Sequence, residues 1–354
     1  MTLRSIHLAS VLLFLLANLL VALFVLPSPA LGEQEPEPVQ PVYLFTYPRG
    51  STAELISDLP VGESDRVLYG GIVTIPVTEE IYFYDLDFDN IKVIDPTNGS
   101  LLRLIDGPWG GGRRYIYPWD REYSWPQDMA VAPDGTITLL LESGGGGQES
   151  LDFRRLSPGD TRWTQVVRVG VRALGLEPAG NAYHLDVGPD GSVYVFFYRN
   201  YRSIPLDSLA ARVSGKRLSD IWDGTTPTVV GADGLFYSIN CRIPDQGGLA
   251  RLGNCLVRVR DRGGRLLRSF EGRDGQIFGV SGNSYLAYYG GRIEVTDPQG
   301  EIVAITQYPN TRGRPERALR GGRLVEFFLS PAGRLYSCHV TKEGLEVYLH
   351  WKEE

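Results

Sequence analysis

The sequence predicts an all-β fold, a six-bladed propeller built from four-stranded antiparallel blades. Three observations carry that prediction. One hairpin recurs along the chain: Met129-Ala-Val-Ala-Pro-Asp-Gly-Thr-Ile137, then Leu185-Asp-Val-Gly-Pro-Asp-Gly-Ser-Val193, then Thr228-Val-Val-Gly-Ala-Asp-Gly-Leu-Phe236, with a worn copy at Phe327-Phe-Leu-Ser-Pro-Ala-Gly-Arg-Leu335. In each, an apolar run meets a tight turn and a second apolar run follows. Gly accepts φ > 0 and Asp bonds its own backbone, which suits such a turn. Long helical periodicity is absent beyond the N-terminal run, and the 42 glycines and 23 prolines punctuate short strands. The 354 residues exceed one sandwich but suit a repeat array closing on an axis.

Taken in order, the chain opens with Arg4 and an apolar run from Leu8 to Leu26, ended by Pro27-Ser-Pro-Ala-Leu-Gly32. Charge, apolar stretch and small residues at Ala30 and Gly32 make 1–32 a signal peptide with cleavage after Gly32, or an uncleaved N-terminal anchor. Either way the remainder is secreted or extracytoplasmic. Residues 33–41 are an acidic, Pro-rich linker, expected to be extended and solvated. The propeller occupies 42–354.

Six units can be laid end to end. Unit one runs Gly71-Ile-Val-Thr, Ile81-Tyr-Phe-Tyr-Asp85, Asn90-Ile-Lys-Val-Ile94 and Ser100-Leu-Leu-Arg-Leu-Ile105. Units two, four and five follow the same four-strand plan. Unit three loses the pattern between Arg199 and Trp222. Unit six is one strand short, and the orphan strand Pro41-Val-Tyr-Leu-Phe-Thr46 can complete it. Such closure removes the sheet edges that invite aggregation.

The stretch Ile81-Tyr-Phe-Tyr-Asp-Leu-Asp-Phe-Asp-Asn-Ile-Lys-Val-Ile-Asp-Pro-Thr-Asn-Gly-Ser-Leu-Leu102 resembles an NHL-type propeller repeat. The likeness extends in outline from Ile72 to His350 and is tight in unit one. It implies the propeller fold. It does not imply a function, because such propellers include scaffolds, lyases and lactonases.

Net charge is −7 and the pI about 5.3. A nucleic-acid partner, which needs a basic face, is not expected. Of three cysteines, Cys241 and Cys255 flank a polar Gly-rich loop and suit a disulfide, while Cys338 reads as a buried free thiol.

In a propeller, the turns between second and third strands and the links between blades share the top face. The elaborate loops of this chain fall there, where binding residues usually collect. The link from blade one to blade two holds Trp109, Arg113, Arg114, Tyr115, Tyr117, Trp119 and Trp125, expected to form an aromatic and arginine platform for a ligand, or else to plug the crevice between blades. Asp85, Asp87 and Asp89 have the spacing that opens a Ca²⁺ loop, with Asn90 in the left-handed turn position, but the closing Glu is missing. The alternative reading is a solvated hairpin. Aligned inner strands put Asp128, His184, Gln276 and Glu326 around the top of the channel, with Asp186 on the face of His184. That polar ring is either a wet channel lining or a site for metal binding and acid–base chemistry.

The expected function is a binding or scaffold module for an envelope or extracellular glycan, peptide or protein. The alternative is a metal-dependent hydrolase or lyase, lactonase-like, with His184, Asp186, Glu326 and Asp128 as its working residues. No cofactor is expected, a divalent cation such as calcium excepted, and membrane contact is expected only through an uncleaved N-terminal segment.

Overall fold

The computed structural model describes residues 36–57, 71–76, 78–110, 124–143, 150–170, 183–197, 202–207, 229–241, 255–272, 276–289, 292–307, 325–341 and 343–354. Pro38–Glu354 form one compact unit. In chain order its strands are β1 (Val42–Gly50), β2 (Ile56–Ser57), β3 (Gly71–Thr74), β4 (Ile81–Asp85), β5 (Asn90–Ile94), β6 (Leu101–Asp106), β7 (Ser124–Val131), β8 (Ile137–Ser143), β9 (Ser150–Leu156), β10 (Thr164–Gly170), β11 (Tyr183–Val187) and β12 (Val193–Phe197). They continue with β13 (Arg202–Pro205), β14 (Val229–Val230), β15 (Phe236–Cys241), β16 (Cys255–Arg260), β17 (Leu266–Gly272), β18 (Gln276–Val280), β19 (Leu286–Tyr289), β20 (Ile293–Thr296), β21 (Ile302–Thr306), β22 (Val325–Leu329), β23 (Arg334–Val340) and β24 (Gly344–Lys352).

These strands make an all-β propeller. Four blades are four-stranded antiparallel sheets, β3–β6, β7–β10, β14–β17 and β18–β21. A fifth is β22–β24 completed by β1, which pairs antiparallel with β24 from Val42 opposite Leu349 to Pro48 opposite Gly344. The N-terminal strand therefore closes the last blade, as the missing strand of unit six suggested. The short β2 then adds in parallel on β1, and Ile56 is fully buried between the last blade and the first.

Among the described residues complete blades number five, where the sequence predicts six. The sheet β11–β12–β13 has three strands among the described residues. Arg202–Pro205 supplies a third strand inside the stretch where the repeat pattern fades, and residues 208–228, where a fourth would fall, lie outside the description.

The recurring turns behave as their chemistry requires. Gly135 has φ 86° and its N–H donates to the Ala132 carbonyl at 2.8 Å, while the Asp134 carboxylate accepts from Thr136 N at 2.8 Å. Between sheets the interior is apolar. Phe153 and Leu140 of the second blade pack on Val195 and Leu206 of the third sheet, and Phe83 and Ile94 of the first blade pack on Val347 and Cys338 of the last. Burying one such Leu or Phe contributes roughly 1.5–3 kcal/mol.

Two expectations are corrected here. The linker is not wholly solvated at its end, because Val39 N donates to the Ile305 carbonyl at 2.7 Å and its own carbonyl accepts from Thr306 Oγ1 at 3.2 Å. The open edge of β21 offers the backbone groups that make this docking favourable. The left-handed residue of the Asp85–Asn90 turn is Asp89, with φ 51°, and not Asn90, which begins β5. Among the described residues no helix is long and apolar enough to cross a membrane, and the Leu8–Leu26 run lies outside them.

Candidate functional site at the channel mouth

The inner strands β7 and β11 lie side by side, and so do β11 and β14. That adjacency brings Asp128, His184 and Asp186 together. Asp128 is 1% exposed, and its Oδ2 lies 2.7 Å from His184 Nδ1. The same carboxylate accepts Met129 N at 2.8 Å and Leu185 N at 2.6 Å. Three contacts thus satisfy the carboxylate and fix the imidazole. On the far side of the ring, His184 Nε2 is 3.3 Å from Asp186 Oδ1, and Asp186 Oδ2 accepts Val230 N at 3.1 Å. The side chains of His184 and Asp186 are 17% and 21% exposed, so solvent reaches both.

The cluster ties three sheets into one unit. Asp128 on β7 grips the backbone of β11, and Asp186 on β11 grips the backbone of β14. An imidazole held by a buried carboxylate is also the arrangement that general acid–base chemistry and metal ligation use.

Of the other residues expected in the ring, Glu326 on β22 is buried and lies near Cys338, whose thiol pKa is pushed upward by burial first and by the Glu326 charge second. The Gln276 side chain lies outside the described residues.

The Asp85–Asp89 turn has a clear structural role. Asp85 Oδ2 is 3.0 Å from Lys92 Nζ in an ion pair with no solvent exposure on either side, and Lys92 also donates to Asn90 Oδ1 at 2.6 Å. Burial pushes the Lys92 pKa down and the Asp85 charge opposes that. Asp85 Oδ1 accepts Asp87 N at 3.0 Å. Asp89 accepts Tyr84 Oη–H at 2.7 Å and Trp109 N at 3.1 Å. Two of the three carboxylates are therefore committed to separate internal partners. Among the described residues no group of three or more His, Cys, Asp or Glu is arranged to hold a metal ion.

Trp109 is half-buried against the cluster of Ile72, Tyr84 and Leu141. Its neighbours Arg113, Arg114, Tyr115, Tyr117 and Trp119, and the Trp125 side chain, lie outside the described residues. Cys241 sits directly opposite Cys255 in the β15–β16 register, and Cys338 is a buried free thiol.

One buried network was not anticipated. Thr306 Oγ1 gives its hydrogen to the Val39 carbonyl, so it accepts from His350 Nδ1 at 2.8 Å. His350 Nε2 then accepts from Ser337 Oγ at 2.8 Å, and Ser337 accepts from His339 Nε2 at 2.9 Å. The signal was present in the sequence: Ser337-x-His339 and Glu346-x-Tyr348-x-His350 put polar residues on one face of two strands.

No family model matches this chain, and no curated protein matches it. Solved structures with some likeness include the α-L-arabinanase of Penicillium chrysogenum complexed with arabinobiose, at 11% identity and TM-score 0.42, covering 89% of this chain and 98% of that one. The α-L-arabinofuranosidase of Fusarium graminearum in complex with an iminosugar inhibitor stands at 11% and 0.43, covering 89% and 98%. The PQQ-bound aldose sugar dehydrogenase of Streptomyces coelicolor stands at 11% and 0.40, covering 89% and 99%. At these identities and scores the likenesses assign no chemistry to this chain.

Proposed function

We propose that this chain is an exported, six-bladed propeller of NHL type. It serves as a binding or scaffold module, taking a cell-envelope or extracellular glycan, peptide or protein on its top face. The observation that supports this reading is the convergence of Asp128, His184 and Asp186 from neighbouring inner strands, with His184 and Asp186 within reach of solvent. The blade one to blade two link, with Arg113, Arg114, Tyr115, Tyr117 and Trp119, is followed in sequence by β7, which carries Trp125 and Asp128. Aromatic and guanidinium groups beside a polar mouth suit sugar rings and peptide groups. A fourth strand from residues 208–228 would make the third sheet a complete blade. The leader would deliver the propeller outside the cytoplasm.

The experiment is retention on immobilised peptidoglycan fragments, uronate-rich polysaccharides and envelope peptides. Alanine at Trp119 and Trp125 is expected to abolish retention; unchanged retention in both variants would contradict the platform.

A second reading, a hydrolase or lyase at the mouth of the channel, is favoured by one detail. Asp128 holds His184 as an acid–base histidine is held, at 2.7 Å. Turnover of a lactone or a uronate polysaccharide, lost in His184→Ala, would establish it. Turnover retained in a His184→Ala, Glu326→Gln double variant would exclude it.

A further inference from the structure

We propose that residues 38–41 are an edge guard: they cover the outer edge of β21 and so prevent a second copy of this chain from adding a strand there. The proposal does not depend on what the top face binds.

The outermost strand of a propeller blade presents a row of N–H and C=O groups with no neighbouring strand, a template for another chain. The outer strands of this propeller blunt that template with bulges. An extra residue interrupts the ladder at Leu102 on β6, at Val166 on β10, at Leu267 on β17 and at Val303 on β21. A bulge bends the edge and twists it away from a flat partner. On β21 the extra residue is an exposed valine, so the bulge by itself leaves the edge apolar.

Strand β21 carries a second device. It ends its sheet, and among the described residues its outer side meets Val39 in an isolated parallel bridge opposite Thr306. Val39 N donates to the Ile305 carbonyl at 2.7 Å, and Thr306 Oγ1 donates to the Val39 carbonyl at 3.2 Å. Thr306 is buried, and the His350 Nδ1–H, 2.8 Å from its oxygen, leaves the hydroxyl hydrogen for Val39. The seat for Val39 is thus set from the interior of the protein.

The residues around Val39 explain why the bridge stays short. Backbone groups on one side of a strand recur every second residue, so the ladder would next need a donor at Pro41, which has no N–H. Pro38 removes a donor from the opposite side of the segment. Residues 38–41 therefore satisfy β21 without becoming a new edge strand for a further chain to extend. At Val42 the same stretch pairs with Leu349 on β24 and completes the last blade. Bared, the β21 edge would meet its own counterpart about a two-fold axis, the arrangement by which identical edges pair antiparallel.

The test uses the full chain in a mild nonionic detergent, which accommodates the apolar 8–26 run equally in every variant. In the wild type the Val39 amide is expected to exchange its hydrogen more slowly than in an unstructured peptide, by about tenfold or more. The wild-type sedimentation coefficient is expected to stay constant with protein concentration. Val39→Pro removes the donated hydrogen and alters no interior residue. It is expected to melt cooperatively and to sediment faster as concentration rises. Val303→Lys, added to that chain, puts a charge on the bared edge and is expected to restore the constant value. Exchange of the Val39 amide at the peptide rate would overturn the proposal. A folded Val39→Pro chain that sediments like the wild type would also overturn it, as would association that Val303→Lys leaves unchanged.

Discussion

Glu79 of the first blade hydrogen-bonds Ser330 and pairs with Arg334, both on the last blade. Tyr336 Oη–H adds a contact at 3.5 Å. Glu79 occupies a left-handed conformation, φ 62°, which a non-glycine residue adopts only when its partners over-determine it. Ring closure therefore rests on two independent fasteners, the β1–β24 ladder and this ionic clasp. Glu79→Gln is expected to destabilise the propeller by about 1–3 kcal/mol in denaturant unfolding. Glu79→Gly, which relieves the backbone, is expected to lose less. Equal stability of wild type and Glu79→Gln would show that the clasp contributes nothing to closure.

The Asp85–Lys92 pair predicts a larger effect. Both side chains are fully buried, so removing one partner strands the other charge in apolar surroundings. Lys92→Met is expected to cost about 3–5 kcal/mol, and Asp85→Asn in the same chain should recover part of it. Chemical denaturation of the single and double variants measures this. A Lys92→Met chain as stable as wild type would mean the pair is dispensable.

The His339–Ser337–His350–Thr306 chain makes stability depend on pH. Burial holds the His339 pKa down at about 4 and the His350 pKa at about 3, the latter lowered slightly more by His339. Both rings are neutral in the fold, whereas the unfolded chain protonates them near 6.5. Their contribution is therefore complete above about pH 6.5 and is lost as pH falls toward 4 and 3, at about 1.4 kcal/mol per unit of depression. The melting temperature is expected to fall between pH 7 and pH 4, with a shallower fall in His339→Gln, His350→Gln. A parallel fall in both proteins would assign the acid lability to other groups.

The Cys241–Cys255 register predicts a disulfide. Non-reducing peptide mapping should recover the two cysteines linked, and Cys255→Ser should cost about 3 kcal/mol. Cys338 is expected to resist alkylation until the protein unfolds, because it is buried and its thiol pKa is raised. Alkylation of both Cys241 and Cys255 in the untreated native protein would exclude the bond.

Much of the fold is legible in the sequence because local chemistry dictates it. Asp-Gly and Ala-Gly turns place the inner hairpins, and the orphan apolar run at Val42 supplies the outer strand that β22–β24 lack. The site is legible in part. Asp128 and His184 fall at one position of the repeat, but their mutual bond depends on how neighbouring blades are offset, which no single repeat specifies. Trp109 is a second case, since its composition fits a platform and a plug between blades alike, and only packing shows it half-buried against the Ile72 cluster. The turn at Asp85–Asn90 mimics a calcium loop because its carboxylates serve Lys92, Tyr84 and backbone N–H groups. A carboxylate run has the same appearance in sequence whether its partner is an ion or a buried lysine.

The central claim is that the mouth around Asp186 and His184 is where this propeller meets its ligand. The most direct measurement is equilibrium binding to an array of peptidoglycan fragments, uronate-rich polysaccharides and envelope peptides, wild type against Asp186→Asn, both first shown to melt cooperatively. The account predicts selective binding by the wild type and a loss of affinity of tenfold or more, about 1.4 kcal/mol, in Asp186→Asn. No binding by the wild type, or identical profiles for the two proteins, would contradict it.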